Sequence, residues 1–240
     1  MTDIVTNADT PWACLKHPNE DIFYWIHSKC ACSFYKQVLK TLHWTDCSTQ
    51  DIVWGQSKVF SHIRDPRKKH RAGVIQYFYH NHCSSILEHN FNDTAFWAML
   101  GRVSYLDWHS LTVWEHLGEN MNQVHWIPLD VAGVDHLEES LNFIGYTGNR
   151  DQLRKIPRVN VSHGFKKQCV DRLTQIEPEP LIIKYLEKDQ QLYDKVSKTA
   201  PFEPNQYKQR LEELVANGMD QQSAEQLLDQ QVADGTYLSW

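Results

Sequence analysis

Two cationic side chains, Lys29 and Arg64, follow strand-like segments, and this placement indicates a site for a phosphate or sulfate group. The apolar run 22–26 leads into a small-residue turn that contains Lys29, and a helical pattern begins at about Ser33. Backbone N–H groups at a helix N-terminus are unpaired and carry partial positive charge, so an anion fits there. Lys29 would add a full positive charge. The alternative is an ordinary turn whose lysine is solvated.

The second strand-like segment, 59–63, ends at Arg64 and is followed by Pro66, which suits the first turn of a helix. A third strand is predicted at 124–129. Further helices are predicted at 66–79, 93–104, 134–144 and 180–198, while 1–21, 45–57 and 148–164 read as irregular or polar connections. Strand–helix units in tandem predict a parallel sheet covered by helices, and ligands of such sheets bind at the carboxyl ends of the strands.

These elements predict an α/β fold, a three-layer sandwich with a central parallel sheet over residues 1–200. Residues 201–240 are predicted to form a helical C-terminal appendage with amphipathic segments at 207–216 and 221–232. A lid, a homodimer contact and a solvated extension are the alternatives for this appendage. We favour a packing or interaction role.

Composition narrows the function classes. A formal net charge of −6 over 240 residues argues against a broad nucleic-acid-binding surface. The sequence contains no run of about 18 apolar residues, so no membrane span is predicted. The N-terminus lacks the pattern of a secretory signal. The six cysteines are scattered, which favours reduced thiols in a cytoplasmic protein. Cys30 and Cys32 are one residue apart, a spacing that disfavours a metal or redox pair.

Several motifs, taken together and in order, resemble the sulfotransferases. Segment 29–36, KCACSFYK, resembles their 5′-phosphosulfate loop, in the form K-x-A-C-T-S-W-K of the carbohydrate sulfotransferases. Arg64-Asp65-Pro66 is similar to the 3′-phosphate motif R-D-P-x-x-R-x-x-S. Segments 107–110, 125–130, 157–162 and 185–193 resemble later parts of the family's domain, so the likeness spans about 22–196. It implies a P-loop-like fold and a reaction that moves a sulfuryl group from 3′-phosphoadenosine 5′-phosphosulfate (PAPS) to a hydroxyl or amine.

The resemblance also implies roles for individual residues. Lys29 would contact the bridging oxygen of the phosphosulfate, and Arg64 would hold the 3′-phosphate. The 5′-phosphate would bind the Ser33 hydroxyl and the backbone amides of the loop, which belong to Cys30, Ala31, Cys32, Ser33 and Phe34. No metal ion is required for this reaction.

The 3′-phosphate motif departs from the family pattern at two positions. Ala72 stands where the family has a serine, and Lys69 replaces the second arginine. Three residues are candidates to compensate: Ser61, Arg71 and Arg158.

An acceptor hydroxyl needs a general base, and histidine suits this role near neutral pH. His109 is the first candidate because segment 107–109 resembles a family segment that lies between the two phosphate motifs and the closing helix. The nearby Asp107 carboxylate could orient its ring. His62 is the second candidate, with core packing favoured as its alternative, and Glu88 is the third. The acceptor is expected to be a carbohydrate or another small hydroxyl compound.

Three other functions stay open at the level of sequence. The first is a small-molecule kinase with an atypical phosphate loop, since the Walker pattern is absent. The second is a module that binds the donor without turnover. The third is a histidine-rich metalloprotein centred on His80 and His82, with His89 nearby.

Overall fold

Five short strands form one mixed sheet. The computed structural model describes residues 14–81, 83–131, 133–157, 164–199 and 211–233. The strands are β1 (Cys14–Lys16), β2 (Ile22–Trp25), β3 (Thr45–Cys47), β4 (Lys58–Ile63) and β5 (Val124–Pro128), in the spatial order β3-β1-β2-β4-β5. β2, β4 and β5 are parallel neighbours, whereas β1 runs antiparallel to both β2 and β3.

Helices connect and cover these strands. They are α1 (Cys32–Thr41), α2 (Pro66–His80), α3 (Ser84–His89), α4 (Thr94–Leu100), α5 (Val113–Leu117), α6 (His136–Phe143), α7 (Arg150–Arg154), α8 (Gly164–Thr174), α9 (Pro180–Thr199), α10 (211–216) and α11 (Gln221–Ala233). Short 3₁₀ helices lie at Thr49–Asp51 and Gly118–Gln123.

Strand β2 is buried on both sides, and its side chains alternate between two apolar clusters. Ile22 and Tyr24 pack in the cluster that contains the buried faces of α1 and α6. Phe23 and Trp25 pack in the cluster that contains residues of α5 and α9. This alternation places helices on both faces of the sheet. A third cluster joins α2, α4 and α8 beside it.

The α/β class predicted from the sequence is confirmed, but the sheet is mixed rather than parallel throughout. β1 and β3 arise in segments predicted to be irregular. Each has only three residues, too few for an alternating pattern to be recognised, and β3 is a polar edge strand. Helix α7 likewise lies inside the stretch 148–164 that was expected to be irregular.

The boundary predicted at residue 200 stays a prediction, because residues 200–210 lie outside the described chain. Two helices, α10 and α11, follow it. No helix of the described ranges is both long and apolar enough to cross a membrane.

Candidate functional site

The carboxyl ends of the three parallel strands carry the predicted cationic residues. Lys29 follows β2 and Arg64 follows β4, while Asp130 follows the neighbouring β5. Arg64 Nε lies 3.5 Å from Asp130 Oδ2, and the same carboxylate oxygen accepts the Asp65 amide at 3.1 Å. Two cationic side chains therefore lie at this edge of the sheet, and one of them, Arg64, already contacts the Asp130 carboxylate.

The turn between β2 and α1 has the backbone shape of an anion loop. Lys29 and Ala31 both adopt the left-handed conformation, with φ of 63° and 55°. Ala31 is the N-cap of α1 and provides no side-chain hydrogen bond to the helix, so this N-terminus has no side-chain cap. Amides in the first turn of a helix lack an intrahelical acceptor, and an anion can satisfy them.

Two of the loop amides that the resemblance assigns to the 5′-phosphate already donate hydrogen bonds within the protein. The Cys30 amide donates to the His27 carbonyl at 3.3 Å, and the Phe34 amide donates to the Ala31 carbonyl at 3.0 Å. Both side chains are buried, and Cys30 Sγ lies 3.3 Å from His27 Nδ1. Cys32 and Ser33 are half-buried in the first turn of α1. The Cys30 and Phe34 amides are thus already engaged within the loop.

Lys29 does not extend into solvent. Its Nζ donates to Gln76 Oε1 on α2 at 2.7 Å, and Lys166 Nζ on α8 donates to that same oxygen. One neutral amide oxygen therefore accepts from two ammonium groups. Lys166 also lies over the ring of Tyr79, 5.5 Å from its centroid.

The charged forms of both lysines are destabilised, that of Lys29 partly by Lys166. Burial lowers the pKa of Lys29 to about 8, and the charges on Lys166 and, to a smaller extent, Arg64 act in the same direction. The Asp107 carboxylate opposes this shift. Burial also lowers the pKa of Lys166. A bound anion would relieve this concentration of positive charge, so these residues fit the phosphosulfate end of the implied donor.

Asp107 and His109 form a hydrogen-bonded pair beside this cluster. His109 Nδ1 lies 2.8 Å from Asp107 Oδ2, and the His109 amide donates to Asp107 Oδ1 at 2.8 Å. The segment is a turn, in which an aspartate side chain can accept the amide two residues further on. The ring of His109 packs against those of Trp108 and His80, with centroids 3.7 and 5.2 Å away. Burial lowers the pKa of His109, with Lys29 adding to this shift and Asp107 opposing it.

Hydrogen bonds fix this turn and the segment that follows it. The first joins the turn to the loop between β2 and α1, and the others join residues 111–114 to α2 and α9. Ser28 Oγ donates to the Trp108 carbonyl at 3.2 Å. Lys69 Nζ, fully buried on α2, donates to the Leu111 carbonyl. On α9, Asp189 accepts the amides of Val113 and Trp114 at 2.7 and 3.1 Å and so fixes the start of α5. Helix α9 thus supports the segment that follows the His109 turn.

His62, the second candidate base, lies in the core. It is fully buried, and its ring stacks on that of Tyr35 with centroids 3.5 Å apart. Its Nε2 lies 2.9 Å from Ser140 Oγ, and its Nδ1 lies 3.4 Å from the Tyr24 hydroxyl. Burial also lowers its pKa well below the usual value. Both ring nitrogens are engaged away from solvent, which argues against a role as base.

Two of the candidates to complete the 3′-phosphate pocket, Ser61 and Arg71, are engaged by backbone carbonyls elsewhere. Residues 69, 73, 76 and 80 form the face of α2 that is turned toward Lys29, and Arg71 lies outside this face. Arg71 donates a hydrogen bond to the Ile176 carbonyl at 2.8 Å. Ser61 is buried and donates to the Trp25 carbonyl at 2.6 Å. Arg158 lies outside the described residues. Among the described residues, Lys29 thus has more cationic neighbours from other elements than Arg64 has.

The remaining candidates are Glu88 and the histidines of the metal alternative. Glu88 is exposed on α3, where its charge acts on Tyr79 and Cys169. Among the described residues, no group of three or more histidine, cysteine or acidic side chains is placed to hold a metal ion. His82, one centre of the metal alternative, lies outside them. His80 instead packs on His109 and contacts the Gln76 amide.

Sequence reasoning missed Gln76 and Lys166. Gln76 shares a helix face with Lys69, Gly73 and His80, a spacing that could have marked it as facing the Lys29 turn. Lys166 belongs to no recognisable sequence motif, and it reaches the site only because α8 packs on α2.

Comparison with protein-family models, with curated proteins and with solved structures finds no match to this chain. The site is therefore interpreted from its own residues.

Proposed function

We propose that this protein is a sulfotransferase that moves a sulfuryl group from PAPS to a hydroxyl group of a carbohydrate or other small molecule. The observation that carries the proposal is the convergence of Lys29 and Lys166 on one amide oxygen, at the uncapped N-terminus of α1 and beside the Asp107–His109 pair. An anion site and a candidate base thus lie in one region. This combination suits transfer of an anionic group to a hydroxyl.

The donor supplies an activated sulfuryl group, whose in-line displacement spreads negative charge and is promoted mainly by positioning and electrostatics. In our proposal Lys29 and Lys166 balance the negative charge at the 5′ end. The first-turn amides of α1 and the Ser33 hydroxyl hold the same end. Arg64 binds the 3′-phosphate, exchanging its contact with Asp130 for a stronger one with the dianion.

His109 takes the proton from the acceptor hydroxyl through Nε2, because Asp107 engages Nδ1. Its lowered pKa keeps the ring neutral, and therefore able to accept a proton, at neutral pH. Asp107 fixes the tautomer and the ring orientation. Tyr105 and Trp108 are exposed beside this turn, at 52% and 44% of their surface, and offer aromatic surface to a sugar or phenolic acceptor.

Calorimetric titration with 3′-phosphoadenosine 5′-phosphate (PAP), the donor without its sulfuryl group, tests the proposed site. Wild type is expected to bind in the micromolar range. Lys29→Ala, Lys166→Ala and Arg64→Ala should each weaken binding about 10- to 100-fold, the loss expected for a charge-assisted hydrogen bond of about 1.5–3 kcal/mol. Lys167→Ala is the matched control, since Lys167 is exposed and pairs with Asp171.

Incubation with labelled donor and panels of sugar, phenol and lipid hydroxyls then tests transfer. Label appearing in a product that wild type makes and His109→Ala does not would support the reaction. Magnesium-dependent ATP binding without PAP binding would replace the proposal with a kinase. Stoichiometric zinc in a protein that binds neither nucleotide would favour the metalloprotein, and PAP binding without transfer to any panel would favour the donor-binding module.

A further inference from the structure

Two thiols face each other across the β1–β3 ladder. Cys14 and Cys47 are directly opposed partners, and both are free thiols. Opposed residues of an antiparallel pair have Cα atoms about 4.5–5.5 Å apart, within the range of about 4.4–6.8 Å that a disulfide spans. Both side chains belong to the same face of the sheet, where Cys14 lies in the cluster of Trp25 and Cys47 packs against it. A bond between the two sulfurs therefore suits this ladder.

The two thiols are unequal. Cys14 is fully buried, whereas Cys47 is half-buried on the edge strand and reachable by a small oxidant. A hydrogen bond between the two side chains raises the pKa of Cys14 and lowers that of Cys47. The thiolate is the form that reacts with peroxides, so the accessible sulfur is also the more reactive one. The buried thiol lies where it can resolve the oxidised partner.

We propose that Cys14 and Cys47 form a reversible disulfide when the protein meets a hydroperoxide. The Cys47 thiolate attacks one peroxide oxygen, the O–O bond breaks, and an alcohol or water leaves as Cys47 becomes a sulfenic acid. The Cys14 sulfur then attacks the Cys47 sulfur, the S–O bond breaks, and water leaves with the Cys14 proton. Two thiols lose two electrons in total, and one hydroperoxide is reduced to an alcohol and water.

The bond would enclose a defined part of the fold. The ring from Cys14 to Cys47 contains β2, the Lys29 turn and α1, and it ties down β3, which among the described strands pairs only with β1. A cross-link of this kind stabilises mainly by restricting the unfolded chain. We expect the melting temperature to rise by about 5 °C or more on oxidation. This proposal is independent of the sulfotransferase function.

Mass spectrometry of the full-length protein tests the pairing. After treatment with hydrogen peroxide, free thiols are blocked with N-ethylmaleimide under denaturing conditions, and the chain is cut with trypsin. Trypsin places Cys14 in peptide 1–16 and Cys47 in peptide 41–58, separate from the other four cysteines. We expect these peptides joined, two hydrogens lighter than their sum, and separated again by dithiothreitol.

Two variants make the test specific. Cys47→Ser should abolish the linked species and the oxidation-dependent rise in melting temperature, while an unchanged far-UV spectrum shows that it folds. Cys83→Ser removes another half-buried thiol and should leave both results intact. The proposal is overturned if oxidised wild type shows peptide 41–58 as a sulfinic or sulfonic acid while peptide 1–16 carries maleimide. It is equally overturned if the disulfide joins other cysteines or if both peptides are recovered with maleimide.

Discussion

Gly73 on α2 lies directly against the backbone of His109. A Cβ atom at residue 73 would overlap the His109 carbonyl oxygen and approach its carbonyl carbon to 2.7 Å. Glycine within a helix costs about 1 kcal/mol relative to alanine. Here it allows α2 to approach the turn that carries the candidate base.

This contact predicts the effect of Gly73→Ala. The added methyl should push the His109 turn away from α2, because backbone atoms on both sides cannot yield as a flexible side chain would. We expect a loss of about 1–3 kcal/mol in the free energy of unfolding, and a fall in transfer rate of about 10-fold or more from misplacement of His109. Urea unfolding and steady-state kinetics measure the two effects. In the control Gly101→Ala, the new methyl meets the Ile176 methyl first, at 3.0 Å. Equal losses of activity in both variants would contradict the proposed role of the Gly73 contact.

The Asp107–His109 pair predicts a pH signature. In the proposed reaction neutral His109 accepts the acceptor's proton, so kcat/KM should rise with pH through a pKa below the usual value near 6.5, because burial lowers it. Asp107 opposes this lowering, so Asp107→Asn should move the rise to still lower pH. The same variant should reduce the plateau about 10- to 100-fold through lost ring orientation. A pH–rate profile of both proteins is the measurement. A rise that moves to higher pH in Asp107→Asn, or an unchanged rate and profile in His109→Ala, would remove His109 as the base.

Lys29 predicts how PAP binding changes with pH. Its pKa of about 8 in the free protein means that the ammonium form is lost as pH rises through 8. A bound anion favours the charged form, so PAP binding should weaken between pH 7 and pH 9 and take up protons near pH 8. Lys29→Arg, which stays charged throughout, should lose most of this dependence. Calorimetry in buffers of different ionisation enthalpy measures the proton uptake. An equal pH dependence in wild type and Lys29→Arg would contradict the assignment.

The proposed role of Lys29 also predicts that its substitution affects turnover more than PAP binding. The resemblance places it at the bridging oxygen, where charge develops during transfer. Lys29→Ala should therefore reduce kcat by a larger factor than it weakens PAP binding. Single-turnover rates beside PAP affinities make the comparison. Equal rates in wild type and variant would rule out this role.

The sequence predicts the location of Lys29 and Arg64 because both depend on local patterns, a strand followed by a turn and a helix. It does not predict Lys166 at the site, since residues 76 and 166 are far apart in the chain and meet only when α8 packs on α2. The contact between Asp107 and His109 depends on the backbone conformation of one turn. A turn leaves no periodic pattern in the sequence, so this contact could not be predicted. The opposition of Cys14 and Cys47 depends on two strands too short to leave a pattern.

His70 predicts how stability responds to acid. Its Nε2 donates to the Ser104 carbonyl at 2.6 Å, and its pKa is lowered to about 4, chiefly by burial, with the charges on Lys69 and Arg71 adding to the shift. Because the unfolded histidine titrates near 6.5, the unfolded state binds the proton first as pH falls. Stability from this group is thus complete above about pH 6.5 and is lost down to about pH 4, by about 3 kcal/mol in all. His70→Gln offers a donor to Ser104 without titrating, so its unfolding free energy should fall less over this interval. Urea unfolding at half-unit pH steps measures the difference in unfolding free energy between wild type and variant. The other buried histidines contribute equally to both proteins, so their contributions cancel in this difference. Parallel curves for wild type and variant would show that the pKa of His70 is not lowered in the folded protein.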